Sequence, residues 1–268
     1  MDFTGRKILL TGGTSGLGLE IAKILISGGA EVYAMGRDLK GYSFANEKFR
    51  FIKADFADLK DLKASLSDIL SQQIRFDVII NNAGVLSPPG YLETKDGFEY
   101  SFQVNFLSHL LINEMIIENK AYSDPLTILA VTSPVYKHIK PDFTFPGKND
   151  YRPFRVYSES KFYLLLMGNY LKDEFKSDKF SFVGFNPGTF GSGIYRMQKP
   201  WFHIMYKIAA PFMRSPSKVA GSICRLLEKG EYAFTGIYSV NGTKPSVLRS
   251  YPVEASEFLR RCSEKTTG

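Results

Sequence analysis

A glycine-rich turn between a strand and a helix, residues 11 to 18, constrains the fold of this chain more than any other feature. The apolar run from Lys7 to Thr11 predicts a buried strand, and Leu19 to Leu25 follows with helical periodicity. Glycines let the backbone approach a ligand, and a helix N-terminus offers free N–H groups and a partial positive charge. The spacing, Gly12-x3-Gly16-x-Gly18, differs from the general G-x-G-x-x-G pattern. The turn predicts a phosphate site, with a tight turn that binds nothing as the alternative.

The rest of the chain alternates predicted strands with predicted helices, and no break in composition divides it. We therefore predict one α/β domain over residues 1–268: a doubly wound parallel sheet of about seven strands with helices on both faces. The C-terminal tail carries Arg249, Arg260, Arg261 and Lys265, and we expect it to be mobile. Further strands are predicted at Glu31 to Met35, Phe49 to Lys53, Asp77 to Ile80, Leu126 to Val131, Phe180 to Phe185 and Tyr232 to Val240, and helices at Leu59 to Ile74, Gly97 to Asn119, Arg155 to Phe175 and Pro216 to Glu228.

The end of the second predicted strand bears on which dinucleotide would bind. An acidic residue here would hydrogen-bond the adenosine ribose of NAD. The chain instead has Gly36, then Arg37, then Asp38. An arginine pairs well with a 2′-phosphate, so the sequence favours NADP(H) over NAD(H).

Small and polar residues end the next two strands. Asp55 follows the third strand, where it could accept from adenine or cap the next helix. Asn81-Asn82-Ala83-Gly84 follows the fourth strand, at the edge where open α/β sheets bind ligands. Asn105 stands inside a predicted helix, where an asparagine costs helix propensity and so suggests a specific role.

Tyr157 and Lys161 stand four residues apart on a predicted helix, so they share one face. A phenol alone has a pKa of about 10 and exchanges protons poorly near neutrality. A neighbouring ammonium favours the phenolate and lowers that pKa. The pair is therefore a candidate proton donor and acceptor, although a lone pair of this kind is also common on plain helix surfaces.

Charge and cysteine content exclude several classes of protein. The net charge of +7 is spread along the chain, so we expect a solvated basic surface, part of which serves an anionic cofactor, and no nucleic-acid partner. Two distant cysteines and three scattered histidines predict neither a disulfide framework nor a metal site. We expect a cytoplasmic protein without a signal peptide or a transmembrane segment.

Taken in order, these motifs resemble the short-chain dehydrogenase/reductase family, in its compact branch, over about residues 5 to 245. The resemblance implies a Rossmann-like fold and an oxidoreductase that moves hydride between nicotinamide and a carbonyl or alcohol. Tyr157 would act as general acid or base, and Lys161 would lower its pKa and bind the nicotinamide ribose. Ser133 would hold the substrate oxygen, with Ser158 and Ser160 as alternatives nearby, and Asn105 would hold a water in the proton relay.

The resemblance also implies which residues contact the cofactor. The glycine turn would flank the pyrophosphate, Asp55 would touch adenine, and the segment after the sixth strand would face the nicotinamide. The full set is Gly12, Thr14, Ser15, Gly16, Leu17, Gly18, Arg37, Asp55, Phe56, Asn82, Ala83, Gly84, Tyr157, Lys161, Pro187, Gly188 and Thr189.

Two details resemble retinol-dehydrogenase-like members of the family: the Gly36-Arg37-Asp38 strand end and the long gap between Ser133 and Tyr157. The family places a substrate-covering loop and helix at about residues 190–215, where this chain has Tyr195, Trp201, Phe202, Tyr206 and Phe212. Aromatic walls suit a small lipophilic ketone, aldehyde or alcohol. A partner subunit or the surface of a membrane could cover the same aromatics.

Three further expectations follow from the resemblance. Members often form homodimers or homotetramers through the two helices that carry Asn105 and Tyr157. Some members reduce C=C bonds with the same tyrosine and lysine, which is an alternative activity for this chain. A silent, cofactor-sensing binding protein is a third reading, although such proteins usually lack the tyrosine or the lysine.

Overall fold

A computed structural model describes residues 1–39, 47–177, 179–191, 194, 197–201, 204, 213–230, 232, 234–240, 242–247 and 252–268. In this part of the chain one sheet of eight strands runs in the order β3-β2-β1-β4-β5-β6-β7-β8. All neighbours pair in parallel except β7 and β8, which are antiparallel. The strands are β1 Lys7–Thr11, β2 Glu31–Gly36, β3 Phe49–Lys53, β4 Phe76–Asn81, β5 Tyr122–Val131, β6 Phe180–Asn186, β7 Gly236–Ser239 and β8 Gly242–Val247.

Helices cover both faces of this sheet, as the alternation of elements predicts. Alternate residues of one strand supply the two cores: Leu9 of β1 packs with the layer of α2, α4 and α5, and Leu10 with the layer of α1 and α6. The helices are α1 Gly16–Ser27, α2 Leu59–Ser71, α3 Tyr100–Phe102, α4 Ser108–Glu118, α5 Pro153–Phe175, α6 Pro216–Lys229 and α7 Val253–Thr267, with a π-helical turn at Gln103–Leu107 between α3 and α4 and a 3₁₀ helix at Pro134–His138.

The predicted doubly wound sheet is confirmed. Strand β5 begins at Tyr122, earlier than the predicted Leu126, and the last strands differ more. The last predicted strand, Tyr232 to Val240, is shorter in the structure and is confined to Gly236–Ser239. Its chain then turns back within two residues into β8, Gly242–Val247. A connection this short can only join antiparallel neighbours, so the parallel sheet acquires one antiparallel edge strand.

The C-terminal tail, which we expected to be mobile, is a helix in the structure: Val253–Thr267 forms α7. Ala255, Phe258, Leu259 and Cys262 recur at helical spacing and are buried. The ring of Phe258 lies 4.8 Å from that of Tyr163, centroid to centroid. The burial of this apolar face holds the helix in place.

Helix α7 packs on α4 and α5, the helices through which we expected copies of the chain to pair. Both helices are buried over most of their circumference within one chain. A dimer built on that face would have to displace α7.

Within the described residues, no helix has the length and apolar character needed to cross a membrane. Of the aromatic residues between 195 and 212, Trp201 is described and is exposed. Tyr195, Phe202, Tyr206 and Phe212 lie outside the described residues, as does much of the covering segment predicted at 190–215.

Candidate active site

A cleft of about 520 Å³ opens at the carboxyl ends of the central strands. Such an edge is where open α/β sheets bind ligands, because the strand order reverses there. Every residue predicted to contact cofactor lines this cleft, from Arg37 and Asp55 at one end, through the glycine turn, to Thr189 at the other. Ser133, Tyr157 and Lys161 line it as well, whereas Asn105 lies behind its wall.

The glycine turn is too tightly packed to accept side chains at key positions. Gly12 has a φ of +68°, in the left-handed region that favours glycine. A Cβ on Gly18 would lie 2.1 Å from the carbonyl oxygen of Gly12 and 2.6 Å from Nδ2 of Asn82. Since α1 begins at Gly16, the turn places a helix N-terminus and a bare backbone beside the cleft, which fits the phosphates of a dinucleotide.

The loop after β4 is braced against the glycine turn. The backbone N–H groups of Asn82 and Ala83 donate to Oγ1 of Thr11 over 2.8 and 2.9 Å. The side chain of Asn82 donates to the Thr11 carbonyl over 2.8 Å. Asn82 therefore positions the wall of the cleft in addition to lining it.

Asn105 sits in the π-helical turn between α3 and α4, and it is fully buried. Its side-chain oxygen accepts from the N–H of Val85 over 2.8 Å, and its amide nitrogen donates to the Val85 carbonyl over 3.0 Å. The same nitrogen donates to Oγ of Ser160 over 3.1 Å. Widened turns of this kind are frequent at functional sites, and this one fastens the loop of residues 82–85 to α5.

Tyr157 and Lys161 lie one turn apart on α5, both buried at the inner wall of the cleft. The ammonium of Lys161 donates to the Val131 carbonyl over 3.2 Å. Burial lowers the pKa of Lys161 to about 8, because removal from water disfavours the charged form. A Cβ on Gly84 would lie 3.1 Å from this ammonium, so the small residue leaves room for it.

The structure separates the three candidate serines. Ser158 donates to the carbonyl of Phe154 and Ser160 to that of Tyr157, each over 2.7 Å within α5, and neither lines the cleft. Ser133 is partly exposed there, at the end of β5. The neighbouring Thr132 donates to the backbone carbonyl of Lys161. Of the three candidate serines, Ser133 alone lines the cleft.

Arg37 and Asp55 occupy the predicted adenosine end. Arg37 is exposed beside the cleft, its Nη1 3.5 Å from the hydroxyl of Tyr100. The alternative that Asp55 caps α2 is wrong, because Asp58 caps that helix by accepting from the N–H of Asp61. Asp55 instead accepts from the N–H of Ala57 over 3.0 Å, and it lines the cleft.

The opposite end of the cleft carries an apolar wall, and the sequence did not reveal the part of it that lies outside residues 190–215. Phe154 lies on the first turn of α5, three residues before Tyr157, so helical spacing could have indicated it. The covering segment joins this wall through two hydrogen bonds, from the N–H of Leu86 to the Ile194 carbonyl and from Gln198 Nε2 to the Ser87 carbonyl. The wall consists of Val85, Leu86, Val135, Phe154, Phe190, Ile194 and Met197.

Comparison with known protein families identifies the family of this chain. Residues 6–201 match the family model described as short chain dehydrogenase, and that span contains the glycine turn, Asn105, Ser133, Tyr157 and Lys161. The chain belongs to the short-chain dehydrogenase family. As a member, it is an NAD(P)-dependent oxidoreductase.

Relatives of known name match most of this chain, and solved structures share its fold. Mouse retinol dehydrogenase 12 and human retinol dehydrogenase 11 are each 30% identical over 230 residues, 82% of this chain and 72% of theirs. A short-chain dehydrogenase from Burkholderia cenocepacia, solved with NADP, shares the fold at a TM-score of 0.64 and 18% identity, covering 90% of each chain. A 3-ketoacyl-(acyl-carrier-protein) reductase from Brucella melitensis, solved with NADH, has a TM-score of 0.67 at 22% identity, covering 90% of this chain and 99% of that one.

Proposed function

We propose that this short-chain dehydrogenase transfers hydride between NADP(H) and a lipophilic ketone, aldehyde or alcohol, with Tyr157 as the general acid or base. One observation carries the proposal. Tyr157 and Lys161 line a single cleft with the glycine turn on one side and the apolar wall on the other. A dinucleotide laid along the turn would end beside the phenol, and an apolar substrate would enter from the opposite side.

Arg37 supports the preference for NADP(H). It lies at the end of β2, beside Gly36 and Asp38 on the rim of the cleft. A guanidinium there can pair with a 2′-phosphate through two parallel hydrogen bonds. The exposed position leaves that charge accessible to a ligand.

The apolar wall supports a lipophilic substrate. Side chains such as Phe154, Ile194 and Met197 offer neither charge nor hydrogen bonds to a polar substrate. The retinol dehydrogenases that the chain resembles carry an apolar alcohol in their name. A long-chain or polyene aldehyde is therefore the substrate class that we propose.

The cofactor supplies the hydride when it is bound, and the chain supplies position and a proton. Ser133 holds the carbonyl oxygen, and Tyr157 donates its phenolic proton to that oxygen as the carbon receives hydride. The buried charge of Lys161 stabilises the phenolate that results. In alcohol oxidation the same groups act in reverse, with Tyr157 taking the hydroxyl proton.

Steady-state turnover on a matched panel tests this proposal. The panel pairs long-chain aldehydes and all-trans-retinal with short polar aldehydes, each with NADPH and with NADH. We expect the highest kcat/KM with NADPH and the apolar members. Turnover that is absent from the whole panel while NADPH still binds would contradict the proposal.

Product analysis separates the two activities that share a tyrosine and a lysine. Mass spectrometry and NMR of the product from an enone or an enal distinguish an alcohol from a saturated carbonyl. We expect the alcohol. If the main product is a saturated carbonyl, the enzyme reduces C=C bonds and the proposed carbonyl reduction is wrong.

A further inference from the structure

His109 is a buried histidine on α4 that the proposed chemistry does not use. Its side chain is fully removed from solvent, and its ring packs against that of Phe56, 5.7 Å away between centroids. Burial lowers its pKa to about 3, with the charge of Lys161 as a further cause. The ring is therefore neutral at every pH at which the protein would work.

The partners of His109 define its tautomer. Nδ1 lies 3.0 Å from the backbone carbonyl oxygen of Asn105, which can only accept. Nδ1 therefore carries the proton, and Nε2 of the neutral ring is an acceptor. Oγ1 of Thr11 lies 3.0 Å from Nε2 and donates to it.

That bond completes the hydrogen bonding of Thr11. A threonine hydroxyl donates once and accepts twice. The two acceptor positions of Thr11 receive the N–H groups of Asn82 and Ala83. Its single hydrogen can go to His109 or to the carbonyl of Ile80, 3.2 Å away, and the neutral Nε2 needs a donor.

These contacts form a closed ring around the loop that walls the cleft. Thr11 holds residues 82 and 83. The side chain of Asn105 bonds both the N–H and the carbonyl of Val85. His109 joins Asn105 to Thr11. Thr11 and His109 are 98 residues apart in sequence. His109 therefore links the end of β1, which carries the glycine turn, to the π-helical turn of Asn105.

We propose that His109 is a positioning residue, which closes this ring and so holds Asn105 and the loop of residues 82–85 in the geometry that proton delivery requires. The proposal rests on the proposed function for its effect on turnover. Its structural half, the closed ring, stands without it. His109 itself touches neither the cleft nor the reacting atoms.

The first measurement is the ring ¹⁵N–¹H NMR spectrum of the cofactor-free protein, with His109 assigned by its loss in His109→Phe. We expect the Nδ1–H tautomer, unchanged from pH 5 to pH 9. An Nε2–H tautomer or a charged ring in that range would overturn the proposal, whatever the protein's activity.

Two substitutions then separate positioning from simple support of the fold. His109→Phe keeps a ring and removes both bonds. His109→Asn restores only the bond to the Asn105 carbonyl. Asn113 in this helix and Asn119 at its C-cap donate in the same way to the carbonyl four residues earlier, over 2.6 and 2.8 Å. Ser108→Ala is the matched control. It removes a buried hydrogen bond from the same helix, but the acceptor, the Phe56 carbonyl, keeps a second donor in Gln103.

For His109→Phe we expect kcat to fall about 10- to 100-fold, with the dissociation constant for NADPH within about threefold of wild type. Amide hydrogen exchange at Asn82 and Ala83 should become faster in the cofactor-free variant. His109→Asn leaves the ring open at Thr11, so it should recover only a small part of kcat and keep the faster exchange at Asn82 and Ala83. Ser108→Ala should leave both readouts near wild type.

Equal kcat in His109→Phe and wild type would overturn the proposal, as would wild-type kcat in His109→Asn, which leaves the ring open at Thr11. If wild type turns over no carbonyl at all, the proposed function fails instead. In that case the tautomer of His109 and the exchange rates at Asn82 and Ala83 still test whether the ring of hydrogen bonds exists.

Discussion

The ammonium of Lys161 donates to the backbone carbonyl of Val131, joining α5 to the end of β5 over 3.2 Å. This bond fixes the position of a buried positive charge one turn from Tyr157 on the same helix face. Burial lowers the pKa of Lys161 from 10.5 to about 8, so the charge is present at neutral pH and is lost not far above it.

The first prediction concerns the pH dependence of carbonyl reduction. The protonated form of Lys161 supports proton delivery, and it disappears as pH rises through about 8. We expect kcat/KM for reduction to be flat below that value and to fall above it. Lys161→Arg keeps its charge, because arginine stays protonated in proteins. We expect this variant to be less active than wild type, with a kcat/KM that does not fall as pH rises through about 8. The same alkaline fall in Lys161→Arg would exclude Lys161 as its source.

The second prediction concerns Arg37 and cofactor choice. We expect Arg37→Ala to weaken NADPH binding by about 1.5–3 kcal/mol, the range for a hydrogen bond to a charged group, and to leave NADH binding unchanged. Nicotinamide fluorescence titrations measure both affinities. Arg225→Ala, an exposed arginine on α6, controls for the loss of net charge. If NADH binds as well as NADPH and Arg37→Ala changes neither, the preference for NADP(H) is wrong.

The third prediction concerns the glycine turn. A methyl group at Gly18 would overlap the carbonyl of Gly12, so Gly18→Ala must push α1 away from the turn. We expect a loss of about 1–3 kcal/mol in the free energy of unfolding and weaker binding of either dinucleotide. Gly90→Ala, where nothing lies within 4 Å, serves as the control. Urea unfolding and cofactor titration measure the two effects. If Gly18→Ala matched wild type in both stability and cofactor binding, the tight packing at Gly18 would be refuted.

The fourth prediction concerns Glu114, buried where α4 meets α5 and α7. Burial is the main cause that raises its pKa from 4.5 to about 7, with Glu118 and Glu174 adding repulsion, against hydrogen bonds to Ser263 and Tyr170. A raised pKa means that Glu114 stabilises the fold fully below about 4.5, and that this contribution is lost as pH rises through about 7.

Glu114→Gln should therefore change stability differently at the two ends of this range. Relative to wild type, we expect the variant to gain free energy of unfolding between pH 5 and pH 8, measured by urea titration at both values. Comparing the two proteins at each pH cancels the opposite contribution of His109, whose lowered pKa reduces stability as pH falls below about 6.5. A pH-independent difference would show that Glu114 does not titrate there.

Much of this architecture is local and could be predicted from sequence. The runs at β1 and β3 match the structure residue for residue, and the strand–turn–helix at Gly12 to Gly18 placed the cleft at the right edge. Each of these depends on neighbours in the chain. That the strand ends would line the cleft could be predicted from the parallel sheet alone.

The features that were missed depend on contacts between distant segments. The apolar spacing of Ala255, Phe258, Leu259 and Cys262 is helical, but only the face offered by α4 and α5 makes it a buried helix in place of a charged tail. The hydrogen bond from Thr11 to His109 joins β1 to α4, and no local pattern reports it. A histidine four residues after Asn105 was visible, yet its partners were not.

The central claim is that Tyr157 delivers a proton while hydride passes from NADPH to an apolar carbonyl. Single-turnover reduction of all-trans-retinal or a long-chain aldehyde by NADPH with deuterium at both C4 positions, in wild type and in Tyr157→Phe, tests it most directly. We predict deuterium on the carbinol carbon of the wild-type product, and a loss of at least about 100-fold in rate for Tyr157→Phe with NADPH binding retained. A product without deuterium, or a wild-type rate in Tyr157→Phe, would contradict the claim.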